Sequence, residues 1–302
     1  MKVFVAGPGS VSDLRGAVVA VGNFDGLHRG HLALFAAAKK LAAGPVGVVT
    51  FDPHPVRVLA PHLAPPLILR NDEKEAGLAK LGIDVLYVVP FDAALAALPP
   101  QAFIDDVLVK RLGVSGVVVG AGFRFGEKAR GSIEDLRRAF GERAVEIAVV
   151  TEGNLVCSST KIRELVMQGN VDAAGLLLGH AYFVAGEVVS GDARGRTIGI
   201  RTANVESRRE LLPKVGVYAT RAVLADGRVK GSVTNVGLRP TFAGQSGIRI
   251  ETHIFDLDAD LYGQELRLEF IARLRDEQKF ANVEALLAQI HLDIAAAKAV
   301  LG

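Results

Sequence analysis

The chain has 302 residues, half of them hydrophobic, with 35 Lys and Arg against 33 Asp and Glu, one cysteine and a formal net charge of +2. That length suffices for two domains with separate cores, while no apolar run approaches the ~20 residues that cross a bilayer and the apolar part of Met1–Pro8 is too short for a secretory signal. A lone Cys157 excludes an internal disulfide and a cysteine-based zinc site, and evenly spread charge offers no basic stripe to nucleic acid. The expectation is a soluble cytoplasmic protein without nucleic-acid or membrane partners; self-association is left open.

Up to about residue 150, short apolar strands alternate with amphipathic helices. Strands are predicted at Val18–Val21, Val46–Thr50, Val85–Val89, Val114–Val119 and Val145–Val150, and helices at Gly30–Ala42, Asp72–Leu81, Pro100–Leu112 and Ile133–Phe140. Strands apolar at every position and separated by helices make a parallel sheet covered on both faces. Ligands of such α/β sheets bind beyond the carboxyl ends of the strands, where the loops Gly22–His31, Asp52–Pro55 and Gly120–Arg130 fall. Ser159–Leu178 reads as one or two connector helices.

After about residue 180 the pattern turns to strands without intervening helices: Tyr182–Val189, Val217–Leu224, Val229–Val233, Ile248–Phe255 and Glu265–Ile271. With a hairpin turn signal at Ala225–Arg228, these predict a β-barrel. The chain ends in a helix near Val283–Val300, whose stripe Val283, Leu286, Leu287, Ile290 and Ile294 is expected to pack on the barrel. The expected division is 1–178, an α/β domain with its connector helices, and 179–302, a barrel domain ending in an α-helix.

Several segments carry residues suited to phosphate chemistry. His28 and His31 stand at the mouth of the first helix, where free N–H groups and a partial positive charge favour a phosphate, and the preceding Gly22, Asn23, Phe24, Asp25 and Gly26 allow close backbone approach. Asp52 and His54 share a proline-stiffened loop; Phe123 and Arg124 lie in a glycine-punctuated one. Ser158, Ser159 and Thr160 open a helix with Arg163 in its first turn, a guanidinium suited to clamping phosphate charge. Gly191–Gly199, with Asp192, Arg194, Gly195 and Arg196, could close over a phosphate but fits neither a Walker nor a dinucleotide fingerprint. Thr202 and Asn204 offer a hydroxyl and an amide to Mg²⁺ and phosphate oxygens, and Glu251 is a candidate base on the polar face of its strand. Each segment also has a plain structural reading: a capped helix, a proline turn, a solvated loop or strand face.

In this order the motifs resemble the bacterial bifunctional riboflavin kinase/FMN adenylyltransferase (FAD synthetase) family. The likeness runs from Gly22–His31 through Thr50–Pro55, Phe123–Gly126 and Ser158–Arg163 to Gly191–Arg196, Thr202–Asn204, Gly216–Tyr218, Asn235–Phe242, Leu261–Gly263 and Arg273–Phe280. The resemblance implies a Rossmann-like nucleotidyltransferase domain that joins FMN and ATP to give FAD and pyrophosphate, followed by a barrel that phosphorylates riboflavin to FMN. It implies that His28, His31, Ser159, Thr160 and Arg163 hold ATP phosphates, with Asn23 and Asp25 shaping the pocket. In the barrel, Thr202 and Asn204 would position Mg²⁺ and ATP, Arg275 would join the ligand-binding residues, and Glu251 would act as base. Gly122 stands where the family pattern has Asp or Asn, and Arg201 where it has proline; Ser190 and Ala181 are smaller departures. An alternative follows from them: a divergent paralogue with one activity lost or an altered flavin or nucleotide specificity, or a non-catalytic flavin-binding regulator.

Overall fold

The structure, a computed structural model, describes residues 1–190, 200–238 and 247–302. The chain divides into two compact units, Met1–Ser159 and Thr160–Gly302.

The first unit is built on a six-stranded parallel sheet: β1 (Lys2–Val5), β2 (Val18–Val21), β3 (Val46–Asp52), β4 (Val85–Pro90), β5 (Gly116–Gly120) and β6 (Ala144–Ile147), in the order β1-β4-β3-β2-β5-β6. Every residue of β2 is buried, as a central strand covered on both faces requires. The covering helices are α1 (Arg29–Leu41), α2 (Pro55–Leu59), α3 (Asn71–Lys80), α4 (Ala93–Ala96), α5 (Pro100–Ala102) and α6 (Ile133–Phe140). The one helix predicted over Pro100–Leu112 is α5 followed by a π-helical stretch, Phe103–Arg111, that buries Phe103, Ile104, Val107 and Leu108. Apolar residues three and four places apart specify a buried helical face without specifying its pitch. Strand β1 was not expected from the sequence: it is four residues long and pairs only with β4, at the sheet edge. A small hairpin, β7 (Thr151–Glu152) and β8 (Leu155–Val156), leads to α7 (Ser159–Gln168) and α8 (Val171–Leu178).

The second unit is a closed antiparallel barrel of β9 (Tyr182–Val189), β10 (Ala203–Glu206), β11 (Gly216–Val223), β12 (Val229–Leu238), β13 (Ile248–Ile254) and β14 (Glu265–Arg275), ordered β10-β13-β12-β11-β14-β9. Closure removes the sheet edges. The hairpin at Ala225–Arg228 joins β11 to β12 as its Asp-Gly signal implies. One face of these strands carries a chain of hydroxyls with no solvent exposure. Thr220 Oγ1 lies 2.7 Å from both Ser232 Oγ and Thr234 Oγ1, and Thr234 Oγ1 donates to Thr252 Oγ1 at 2.9 Å. Helix α8 packs on β9 and β14, so by packing the connector groups with the barrel.

The last helix, α9 (Val283–Leu301), packs on β11, β12 and β14. The predicted stripe forms its seam: Leu286, Leu287, Ile290 and Ile294 are half-buried, and Ile294, Ala297 and Leu301 join Val217, Ala219, Val233 and Phe255, whereas Val283 at the first turn is 50% exposed. The seam also carries Asp293, a buried carboxylate that receives two hydrogen bonds from Arg275, Nε at 2.8 Å and Nη2 at 2.7 Å, and a third from Gln289 at 2.9 Å. A polar residue on the buried face is invisible to an apolar count.

Candidate active site

In the first sheet, β2 lies between β3 and β5; its connection leaves toward β3, and that of β5 leaves toward β6. The loops that follow β2 and β5 therefore diverge at the topological switch point, where a crevice opens. The loop after β2 runs directly into α1. His28 is the N-cap of that helix: its Nδ1 and its backbone oxygen both accept from His31 N–H, at 3.4 and 2.7 Å. With Nδ1 accepting, the ring proton of His28 is assigned to Nε2. The two imidazoles stack with centroids 3.5 Å apart. Glycine at position 30 makes this possible, because a Cβ there would come within 3.0 Å of the His28 ring and 3.1 Å of the Cys157 carbonyl. The buried Phe24 meets His31 edge-on at 5.1 Å. Burial, reinforced by His28 and by the charge of Lys74, holds the His31 imidazole well below its ordinary pKa, so the ring is neutral near pH 7.

The loop is anchored through backbone groups. The buried Asp25 carboxylate accepts the N–H groups of Ile68 and Leu69 at 3.0 Å, and the Asp25 carbonyl accepts the Ser159 hydroxyl at 2.7 Å. The Asn23 carbonyl accepts from both Thr50 Oγ1 and Lys74 Nζ at 3.2 Å, and the Asn23 side chain lies 3.1 Å from His54 Nε2. His54 Nδ1 takes the Val56 N–H and caps α2. Gly26 is buried in the turn, whereas Asp52 is exposed at the end of β3, its carbonyl taking the Phe91 N–H at 2.9 Å. Ser158 precedes α7, Thr160 is exposed in its first turn, and Arg163 is buried on the same helix.

Beside this loop opens a cleft of about 880 Å³ lined by Phe51, Phe91, Phe103, Phe123 and Phe125, with Gly22, Asn23 and Arg124 also in its lining. Phe123 and Phe125 stack at 5.8 Å, and Phe103 meets Phe125 at 5.5 Å. The sequence pointed to Phe123 and Arg124; Phe51 and Phe125 lay inside recognised motifs without an assigned role, Phe91 and Phe103 were missed, and the four reach the cleft from separate elements. Gly122 adopts φ +70°, open space surrounds the position of its missing Cβ, and its N–H donates to Glu146 Oε1 at 2.9 Å. Asn and Asp tolerate that left-handed backbone best after glycine, so glycine here and Asp or Asn in the family pattern satisfy one backbone demand.

In the barrel, strand register sets Asn204 opposite Glu251 and Glu251 opposite Asn235, one row across β10, β13 and β12. Arg249 links two of them: its Nε donates to Asn204 Oδ1 at 3.0 Å, and its Nη2 lies 2.8 Å from Glu251 Oε1. Thr202 is exposed just before β10, next to Arg201, whose side chain pairs with Asp258 and whose carbonyl lies 2.8 Å from His253 Nδ1. Arg275 lies on β14, its guanidinium engaged by Asp293. Gly191, Asp192, Arg194, Gly195 and Arg196 lie outside the described residues.

A family model described as FAD synthetase matches residues 10–163, and one described as riboflavin kinase matches residues 178–301. The bifunctional riboflavin kinase/FMN adenylyltransferase of Escherichia coli K12 is 39% identical over 293 residues, covering 95% of this chain and 93% of that protein. The chain belongs to the bifunctional riboflavin kinase/FMN adenylyltransferase family. The Bacillus subtilis member is 38% identical over 288 residues, covering 92% of this chain and 90% of its own. A crystal structure from Streptococcus pneumoniae, described as a macrolide-efflux protein, matches 99% of both chains at 31% identity with a TM-score of 0.89. Among the described residues no helix is long and apolar enough to cross a membrane. The family's two-part order, an α/β unit and then a barrel, is the order of this fold.

Proposed function

We propose that the chain makes FAD in two ATP-dependent steps at separate sites: phosphorylation of riboflavin to FMN in the barrel unit, and adenylylation of FMN with release of pyrophosphate in the parallel-sheet unit. The observation that carries this reading is the pairing, at one switch point, of a histidine-lined helix mouth with a phenylalanine-lined cleft. The helix mouth suits phosphates, and the cleft suits a flat aromatic ring system.

In the adenylyl transfer an FMN phosphate oxygen attacks the α-phosphorus of ATP, and the bond to the bridging oxygen breaks as pyrophosphate leaves. Negative charge grows on the phosphoryl oxygens, so fixed donors are what the step needs. The α1 N–H groups and the His28 and His31 imidazoles provide them, with Ser158, Ser159, Thr160 and Arg163 as further phosphate contacts. Gly22, Asn23, Phe24, Asp25, Gly26, Asp52 and His54 shape the pocket, and Phe123 and Arg124 face the flavin.

In the kinase step Glu251 accepts the proton of the riboflavin hydroxyl as that oxygen attacks the γ-phosphorus and ADP leaves. Arg249 already places a cation between the oxygens of Asn204 and Glu251, and oxygen donors of this kind suit a hard divalent ion. Thr202 and Asn204 would hold Mg²⁺, which neutralises phosphate charge when bound. A cytoplasmic location, where ATP is supplied, fits this reading.

Incubation with riboflavin, ATP and Mg²⁺ followed by chromatographic separation of flavins tests it: FMN and FAD are both expected. FMN without FAD removes the adenylyltransferase half, and neither product overturns the reading. His31→Ala is expected to lower FAD formation from FMN by ~10²- to 10³-fold while sparing FMN formation; loss of both activities contradicts the two-site assignment.

A further inference from the structure

Lys74 lies on α3, outside every motif that the sequence singled out, yet its side chain is 8% exposed and among the described residues it makes a single hydrogen bond, from Nζ to the Asn23 carbonyl at 3.2 Å. An ammonium has three donors and is costly to bury, so a lysine held this way is maintained against a penalty. Its surroundings account for the placement. Burial holds the Lys74 ammonium below its ordinary pKa, and the opposite charges of Asp25 in the loop before α1, Asp52 on β3 and Glu75 on its own helix partly offset that. Its charge also reaches His31, which stacks on His28.

We propose that Lys74 is a positioning residue for adenylyl transfer: its buried ammonium fixes the Asn23 carbonyl, and with it the loop that delivers His28 and His31, and sets a cation beside that loop. Two consequences follow. The Asn23 carbonyl receives a second donor from Thr50, so the loop is pinned to β3 and α3 together. The cation also opposes protonation of His31. A neutral His31 beside His28 avoids two charged rings stacked at 3.5 Å, and its N–H remains a preset donor to an incoming phosphate.

This rests on the assignment of His28 and His31 to the ATP phosphates, and the experiment separates the two. Lys74→Gln, Lys74→Met, Lys74→Arg and His31→Ala are made in the full chain, and FMN-to-FAD and riboflavin-to-FMN conversion are measured on each preparation across pH. Lys74→Gln keeps a donor for Asn23 and removes the charge. It is expected to lose ~10- to 100-fold in adenylyl-transfer kcat/KM, the scale of a mispositioned reactive group, with kinase turnover within about twofold of the parent. The sign of the pH effect is fixed: without the Lys74 charge the His31 ring takes its proton at higher pH, so the acid limb of the adenylyl-transfer profile moves to higher pH. Lys74→Arg is expected to restore most of the rate and return the limb.

An unchanged profile in Lys74→Gln, a loss with an unmoved limb, or failure of arginine to restore it overturns the proposal. Loss of both activities in Lys74→Gln also overturns it, because Lys74 would then serve folding alone; if Lys74→Met does not fold, the Gln and Arg variants decide. If His31→Ala retains FAD formation, the phosphate-site assignment fails; if it loses FAD formation while Lys74→Gln does not, only the role of Lys74 fails.

Discussion

The two units hold their candidate sites in different ways. In the parallel-sheet unit the residues ride on loops beyond the strand ends, and buried polar groups must pin those loops: Asp25 to the Ile68 and Leu69 amides, Lys74 and Thr50 to the Asn23 carbonyl. In the barrel, Asn204, Glu251 and Asn235 are aligned by strand register, and Arg249 bridges Asn204 and Glu251 along that row. A loop-borne site is exposed to changes well away from its reactive groups, whereas a strand-borne site is exposed mainly to changes in those groups or in barrel closure.

That contrast can be broken by experiment. The largest effect is expected from Glu251→Gln, which keeps the strand and removes the base: kinase turnover falls by ~10²- to 10⁴-fold, with FAD formation from FMN unchanged. A comparable loss of FAD formation would mean that the sites are not independent. Next in size, Asp293→Ala leaves Arg275 without its buried partner and is expected to lower barrel stability by about 3 kcal/mol, read as an earlier transition in denaturant. Since the change lies within the barrel unit, adenylyl transfer is expected to persist at denaturant concentrations where kinase activity has gone.

Thr234→Val interrupts the hydroxyl chain between Thr220 and Thr252 and is expected to cost about 1–3 kcal/mol through unpaired buried hydroxyls, measured by thermal unfolding. The smallest effect is expected from Gly122→Asn. Open space and a tolerated φ make it nearly neutral in stability, within ~0.5 kcal/mol, while Gly122→Val at the same φ is expected to be clearly destabilising. If the two variants melt together, the backbone account of this position is wrong.

Much of the fold was legible because most of its strands are long apolar runs. The five predicted strands of the first sheet match β2 to β6 to within a few residues, as do the predicted helices α1, α3 and α6. What escaped has physical reasons. Strands β1 and β10 lack the buried apolar run that marks the equally short β2: β1 is an exposed edge strand and β10 reads Ala-Asn-Val-Glu, so pairing partners rather than composition make them strands. The Phe51–Phe91–Phe103–Phe125 cleft arises by convergence of separate elements, a long-range relation that no local pattern encodes. Lys74 carried no signal of its own, because a charge on a helix signals burial only once its tertiary partners are known. His28 and His31 were legible because an N-cap and the first turn of a helix are adjacent in sequence as well as in space.

The Arg275–Asp293 pair also bears on how the protein is made. All residues of the parallel-sheet unit have been synthesised once Ser159 is added, so that unit can begin folding while the barrel does not yet exist. The barrel must wait for β14 to close against β9, and its clamp waits longer still, for Asp293. During synthesis the unit that carries His28 and His31 can therefore assemble before the barrel that carries Glu251.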